Sequence, residues 1–331
     1  MNLANETLEA VPIPPAESSQ TQRIYVTLVI FTISFTGLIG NLIVFMFATT
    51  LKTLQNSFGR LSASQSFAEA VLCAVFLFFY CPMVLFDIPS FKIASSHAGL
   101  ILLFCYDVCI FSHFFIAFNR LCAISFPIEY NSIFNERNTR ILIGLAYAIP
   151  CFTSIYMHLA NNCLLPYVDF GWYFGVNTSA DCDVIRFWID FCKDFGVVAL
   201  IAIVDVATIV MIKVTAVGMR NAGVNCAQAA KKRQREITFV KQALIQGTVF
   251  AIELIFFFIV SRMQSEPVMI FLCTTVAWSL VHTIDPLVLI LLNQEFRNML
   301  TRNPFSRGRT FQPHESLTPL NKSICPAPST E

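Results

Sequence analysis

The chain has 331 residues, of which 56% are hydrophobic and 13% charged, with 33 Phe and a mean hydropathy of +0.64. A soluble domain is about 45–50% apolar and about 25% charged, so this composition excludes one and fits a helical protein of the bilayer. Net charge is +1, which leaves no overall bias toward nucleic acid.

In chain order, residues 1–23 are polar, with Glu6, Glu9 and Glu17 and no apolar core behind a basic start. They read as an external tail, not a cleaved signal. Seven segments then meet or approach the roughly 20 apolar residues needed to cross hydrocarbon. They lie at about 24–51, 61–86, 93–118, 141–160, 191–212, 242–261 and 267–292. The first and fourth carry no charge. The others carry Glu69, Asp107, Asp205, Glu253 and Asp285, with Lys193 and Asp194 at the outer edge of the fifth. No internal repeat and no pair of broken helices of transporter type is visible.

Orientation follows from Lys and Arg. With the N-terminus outside, external segments hold Arg23, Lys92, Arg186, Lys193 and Arg262, five against seventeen inside. That split obeys the positive-inside rule. Sequons at Asn5 and Asn177 fall on the same outer face. Of 12 cysteines most lie within spans, while Cys163 and Cys182 bracket an aromatic external loop that contains Trp172. A bond between them is the leading pairing, with Cys192 as the rival partner. Inside, a basic helix carries Lys231, Lys232, Arg233 and Arg235 into the sixth span, either to meet anionic lipid or to dock a protein. Residues 293–303 have amphipathic helical spacing, and the Pro- and Ser-rich 304–331 reads as a disordered cytoplasmic tail.

An ionisable group inside a span is costly and marks function by default. Asn41, Glu69 and Asp285 sit mid-span in helices one, two and seven. If they converge, two carboxylates share one pocket and either a proton or a cation must relieve them. A water cluster that only holds the helices together is the competing reading. Pro286 adds a kink after Asp285. Asp107, Asp205 and Glu253, with Trp172 above them, are candidates to line a ligand cavity, or to pair with His113. His158 and His282 read as packing residues. No Cys/His spacing makes a zinc site, and no phosphate loop or nucleophile–base pair stands out, so no metal, cofactor or catalytic residue is expected.

The third span ends in Phe118-Asn119-Arg120-Leu121, then Phe126-Pro127. Arg120 is either a helix end meeting water or a coupling residue. Gly40-Asn41, Asn119-Arg120-Leu121, Asp285-Pro286 with Leu289, and Phe296 resemble the motifs of rhodopsin-like G-protein-coupled receptors. Asn56–Gln65, Phe118–Phe134 and Asn293–Arg297 are similar to the nematode serpentine receptor class X (Srx) chemoreceptors. The resemblance implies a seven-helix bundle with a short eighth helix, in the plasma membrane of sensory neurons. It implies an unidentified small-molecule ligand bound in the outer half of the bundle, and a heterotrimeric G protein that meets Asn119, Arg120 and the 231–235 cations. The sequence also departs from the pattern. Asn119 stands where an acid would restrain Arg120, no cysteine lies near Ser95, the sixth span lacks proline, and Leu102 and Ser279 disfavour amine ligands and retinal. External Asp169, Asp181 and Asp183 favour polar or cationic odorants. The competing class is a seven-span ligand-gated channel or transporter.

Overall fold

A computed structural model describes residues 18–175, 179–221, 227–293 and 296–297. Seven of its helices are long and apolar enough to cross a membrane. They are α1 (Gln20–Thr50), α2 (Ser57–Leu85), α3 (Pro89–Ser125), α4 (Glu136–Ala160), α5 (Ala180–Thr215), α6 (Ala227–Ile255, carried on to Met263) and α7 (Pro267–Leu292). Local chemistry sets several starts. Ser19 and Gln22 form a reciprocal capping box on α1, while Asn56 and Asn135 accept from the backbone of Gly59 and Asn138 at the heads of α2 and α4. Pro89 and Pro267 occupy the first turns of α3 and α7, where a missing N–H costs nothing.

The bundle is apolar outside and polar within. Leu28, Phe31, Phe35, Ile39, Leu42 and Met46 form an exposed stripe along α1 at helical spacing, as a lipid-facing surface requires. Ten of the buried residues are Asn41, Glu69, Asp107, Asn119, Arg120, Asp194, Asp205, Glu253, His282 and Asp285. Around them an aromatic core centred on Phe76, Tyr80, Tyr106, Phe250 and Trp278 joins α2, α3, α6 and α7 through edge-on and tilted ring contacts.

Five wide π-type turns, Phe76–Tyr80, Tyr156–Ala160, Phe187–Cys192, Phe256–Val260 and Leu272–Val276, interrupt α2, α4, α5, α6 and α7. All lie toward the end of the bundle that carries the α4–α5 connection. There β1 (Tyr167–Val168) and β2 (Tyr173–Phe174) pair antiparallel, with Tyr167 opposite Phe174. A disulfide joins Cys163, just past α4, to Cys182 in the first turn of α5, and Cys192 is a free thiol. The helix of α5 begins at Ala180, well before the hydrophobic run at 191, because the polar turn around Asp190 to Asp194 faces the bundle and not lipid.

Candidate functional site

Beneath the contacts of the β-hairpin, three polar groupings lie between the helices in descending order. At the top, the hairpin turn seats Trp172 among α2 and α7. Gly171 and Trp172 both have positive φ, 87° and 49°. A Cβ on Gly171 would stand 2.9 Å from Ile270 Cγ2, so only glycine lets the turn approach α7 there. The Trp172 carbonyl accepts from Tyr80 Oη at 2.7 Å and Thr275 Oγ1 at 2.8 Å. Ser95 replaces the missing cysteine of α3: its Oγ accepts the Tyr167 N–H at 2.9 Å. One turn on, a Cβ at Gly99 would meet the Leu165 carbonyl oxygen at 2.1 Å. The hairpin is therefore fixed to α3 by close backbone approach and a hydrogen bond, and to α5 by the disulfide.

Beneath it, Asp107 on α3 is bound by Lys193 Nζ of α5, and Thr153 Oγ1 of α4 donates to it at 3.4 Å. The same ammonium lies 3.3 Å from Asp194, and Arg186 lies 3.6 Å from Asp190. Tyr106 Oη donates to Glu253 at 2.6 Å. Lys193, counted among external cations from the sequence, points into the bundle, since its stem packs along the helix and its head finds the buried acid. Asp107, Glu253 and Trp172 thus sit in the half of the bundle expected to hold a ligand, with Lys193 on Asp107 and Tyr106 on Glu253, while the Trp172 indole N–H is buried without a hydrogen-bond partner among the described residues. Asp205 does not join them. It faces Arg120, about three turns nearer the other end, which corrects its assignment to the cavity.

The middle group is the densest. Gln65 Nε2 lies 2.5 Å from Asp285 Oδ2, 3.1 Å from Glu69 Oε1 and 2.8 Å from His113 Nε2. His113 Nε2 is 3.2 Å from Asp285 Oδ1, and His282 Nδ1 is 3.8 Å from Glu69 Oε1. Asn41 Nδ2 donates to the His282 carbonyl at 3.0 Å. Helices one, two and seven do converge, and α3 joins them. His113 pairs with Asp285, not with Asp107, Asp205 or Glu253, and His282 borders the acids instead of merely filling space. Both were within reach of the sequence. Gln65 precedes Glu69 by one turn, His282 precedes Asp285 by almost one, and such spacings share a helix face.

At the far end Arg120 is 8% exposed and its Nη2 lies 3.7 Å from Asp205 Oδ1 of α5. Asn119 Nδ2 donates to Tyr130 Oη at 3.1 Å, in the short connection to α4. The acid beside Arg120 comes from α5, not from position 119. Ser57 Oγ donates to the Phe134 carbonyl at 2.7 Å and accepts from Thr139 Oγ1 at 2.8 Å, pinning that connection to α2. Phe296 is fully buried against Phe47, Val44 and Leu289. Lys231, Lys232, Arg233 and Arg235 lie on the early turns of α6, and their side chains are outside the described residues. So are Asn5, Asn177, the rest of 293–303 and the tail 304–331.

The model of the family described as "Serpentine type 7TM GPCR chemoreceptor Srx" matches residues 31–293. Serpentine receptor class X 45 of Caenorhabditis elegans is 32% identical over 305 residues, covering 87% of this chain and 83% of that protein. Serpentine receptor class X-43 of the same organism is 26% identical over 271 residues, covering 81% and 83%. Among solved structures, squid rhodopsin superposes with a TM-score of 0.70 at 15% identity over 88% of each chain. At that identity the likeness is one of fold.

Proposed function

The chain belongs to the serpentine seven-transmembrane chemoreceptor family Srx, a class of G-protein-coupled receptors, and on that premise we propose that it binds a small external ligand in the outer half of its bundle and activates a heterotrimeric G protein. The N-terminus lies outside in this reading, supported by the five-to-seventeen split of cations and by a disulfide at the hairpin end, where an oxidising compartment permits one. The receptor sits in the plasma membrane of sensory neurons, and Asn5 and Asn177 carry glycans.

The observation that carries the reading is the buried pair Arg120–Asp205. An arginine near the inner end of α3, held by an acid of a neighbouring helix, is a two-state element. In one arrangement it is spoken for, and in the other it is available to a partner. Ligand contact with the Asp107–Lys193 group moves α5 relative to α3, and the same helix carries Asp205 eleven and twelve residues further on from Asp194 and Lys193. Asp285-Pro286 lets α7 follow. The freed Arg120, with Asn119 and the cations 231–235, then meets the Gα subunit.

Replacing Arg120 by Ala abolishes ligand-evoked nucleotide exchange on a promiscuous Gα, with surface density unchanged. Full-strength signalling in that variant would refute the role of Arg120. The channel reading predicts ligand-gated current without added Gα. Cations or His beside four of the buried acids, Lys193 by Asp107 and Asp194, Arg120 by Asp205 and His113 by Asp285, count against a permeation path.

A further inference from the structure

The inner end of α4 carries a groove of about 650 Å³ lined by Glu136, Arg137, Arg140 and Ile141. Its charges do not balance. Arg60 of α2 and Arg140 both reach Glu136 Oε1, the first at 3.5 Å. Arg137 has no acidic partner among the described residues. Three guanidinium groups against one carboxylate leave two positive charges over.

Two rows run from the groove along α4 into the span. Ile141, Leu145, Ile149 and Phe152 form an exposed apolar ridge at helical spacing, with Arg137 at its head. Beside it Gly144 and Ala148 follow Arg140 at intervals of four residues, and both are exposed. A Cβ on Gly144 would meet no atom within 4 Å, so no packing inside the chain calls for glycine there. Glycine within a helix costs stability relative to alanine. A molecule from outside the chain, lying against the backbone beside the ridge, accounts for the bare position.

The charged head and the apolar flank together select that molecule. The ridge and the notch belong to a membrane-length helix, so a water-soluble phosphate would leave them uncovered. Arginine forks bind phosphate through paired N–H donors, and a phosphomonoester carries about −1.5 to −2 charge at neutral pH, which matches the surplus. With the N-terminus outside, this end of α4 meets the cytoplasmic leaflet, where anionic lipids reside. We propose that Arg137 and Arg140 bind the phosphomonoester of an inner-leaflet phosphoinositide. One acyl chain lies in the notch at Gly144 and Ala148, against Ile141 and Leu145, while Arg60 adds its charge from α2. The site rests on the orientation of the chain in the receptor reading, and neither the ligand nor the G protein takes part.

The test titrates the full-length receptor, purified in detergent, with a fluorescent phosphatidylinositol monophosphate. One equivalent should bind saturably, and phosphatidylserine or the water-soluble headgroup alone should compete far less well. Arg137→Ala with Arg140→Ala should weaken binding about 30-fold. Gly144→Leu keeps every charge and has room to fold as wild type does, yet should weaken binding about 5-fold or more by filling the notch. Lys231→Ala with Lys232→Ala should leave the affinity unchanged. Equal competition by phosphatidylserine or by the headgroup, or wild-type affinity in the arginine or the glycine variant, would each overturn the assignment. So would a loss in the lysine variant as large as in the arginine variant. The readout is lipid binding alone, so its failure leaves the receptor reading untouched, and loss of signalling leaves the lipid site untouched.

Discussion

The two ends of the bundle are built differently. The hairpin end is irregular: five helices carry wide turns there, four residues (Asp87, Asn162, Gly171 and Trp172) adopt positive φ, and a disulfide, a seated tryptophan and a cluster of acids around Lys193 fill the space. At the opposite end the described helices run regularly, and a few polar bonds, Arg120 to Asp205, Asn119 to Tyr130 and Ser57 to Phe134, hold them. Wide turns re-aim side chains and are common where ligands bind. Sparse polar contacts between regular helices can be exchanged without unfolding either helix. On the proposed function, one end serves recognition and the other release.

The sharpest way to break this contrast is at the inner pair. Asp205→Asn removes the α5 carboxylate beside the buried Arg120, and losing one partner of a buried ion pair costs about 3–5 kcal/mol. The inactive arrangement bears that cost, so basal nucleotide exchange without ligand should rise by about 5–150-fold, the span of a coupling of 1–3 kcal/mol. A variant as silent as wild type would mean Asp205 is not the latch.

At the hairpin end the largest effect should come from Cys163→Ser with Cys182→Ser. The bond spans 19 residues, and a closed loop of that size contributes about 3 kcal/mol. The pair of substitutions should lower the midpoint of thermal unfolding and cut surface density, while basal exchange stays at the wild-type level. If basal exchange rises as it does for Asp205→Asn, the two ends are not separable.

Gly99→Val tests whether backbone approach does the work of a cysteine. The added Cβ would lie 2.1 Å from the Leu165 carbonyl, and overpacking of this kind costs about 1–3 kcal/mol. Thermal stability should fall by that order, with Ser95→Ala giving a smaller loss of about 1 kcal/mol for its single hydrogen bond. No change in either variant would mean that the disulfide alone anchors the hairpin.

The smallest effect belongs to Asp87, in the α2–α3 connection, which meets both Lys92 and Arg23 at 2.5 Å. Its carboxyl is held below the ordinary range, chiefly by the hydrogen bond from Lys92, against a smaller cost of burial. A depressed carboxylate contributes stability at pH values above its unfolded value and loses it as pH falls through the folded one. The half-exposed site and solvent screening limit the gain to about 0.2–1 kcal/mol. The stability difference between wild type and Asp87→Asn should be constant at neutral pH and vanish below the usual carboxylate range. A difference that grows on acidification would reverse the sign and refute the pairing.

Much of this was legible in the chain. Long apolar runs mark the seven spans because a bilayer demands about 20 such residues whatever the helix packs against. The cysteine pair, the buried acids as costly groups, and Arg120 at the close of α3 are also local facts. What the sequence left open is which polar group meets which. Asp205 looked like a cavity residue because it is one acid among several in the spans, and its position along α5 says nothing of its azimuth toward α3. Lys193 was read as external because its charge breaks the hydrophobic run, although a flexible stem lets it turn inward.

The sequence by itself determined the class of solvent, the number of crossings and the family motifs, since each depends on composition and spacing within one segment. Only the tertiary structure decided the partners: Gln65 with Asp285 across 220 residues, Tyr106 with Glu253 across 147, Arg120 with Asp205, and Cys109 beside His282 and Glu69. Helical period fixes which residues share a face of one helix, but the rotation of each helix against its neighbours is set by packing of the whole bundle. A buried charge must find its match, and the match lies on another helix.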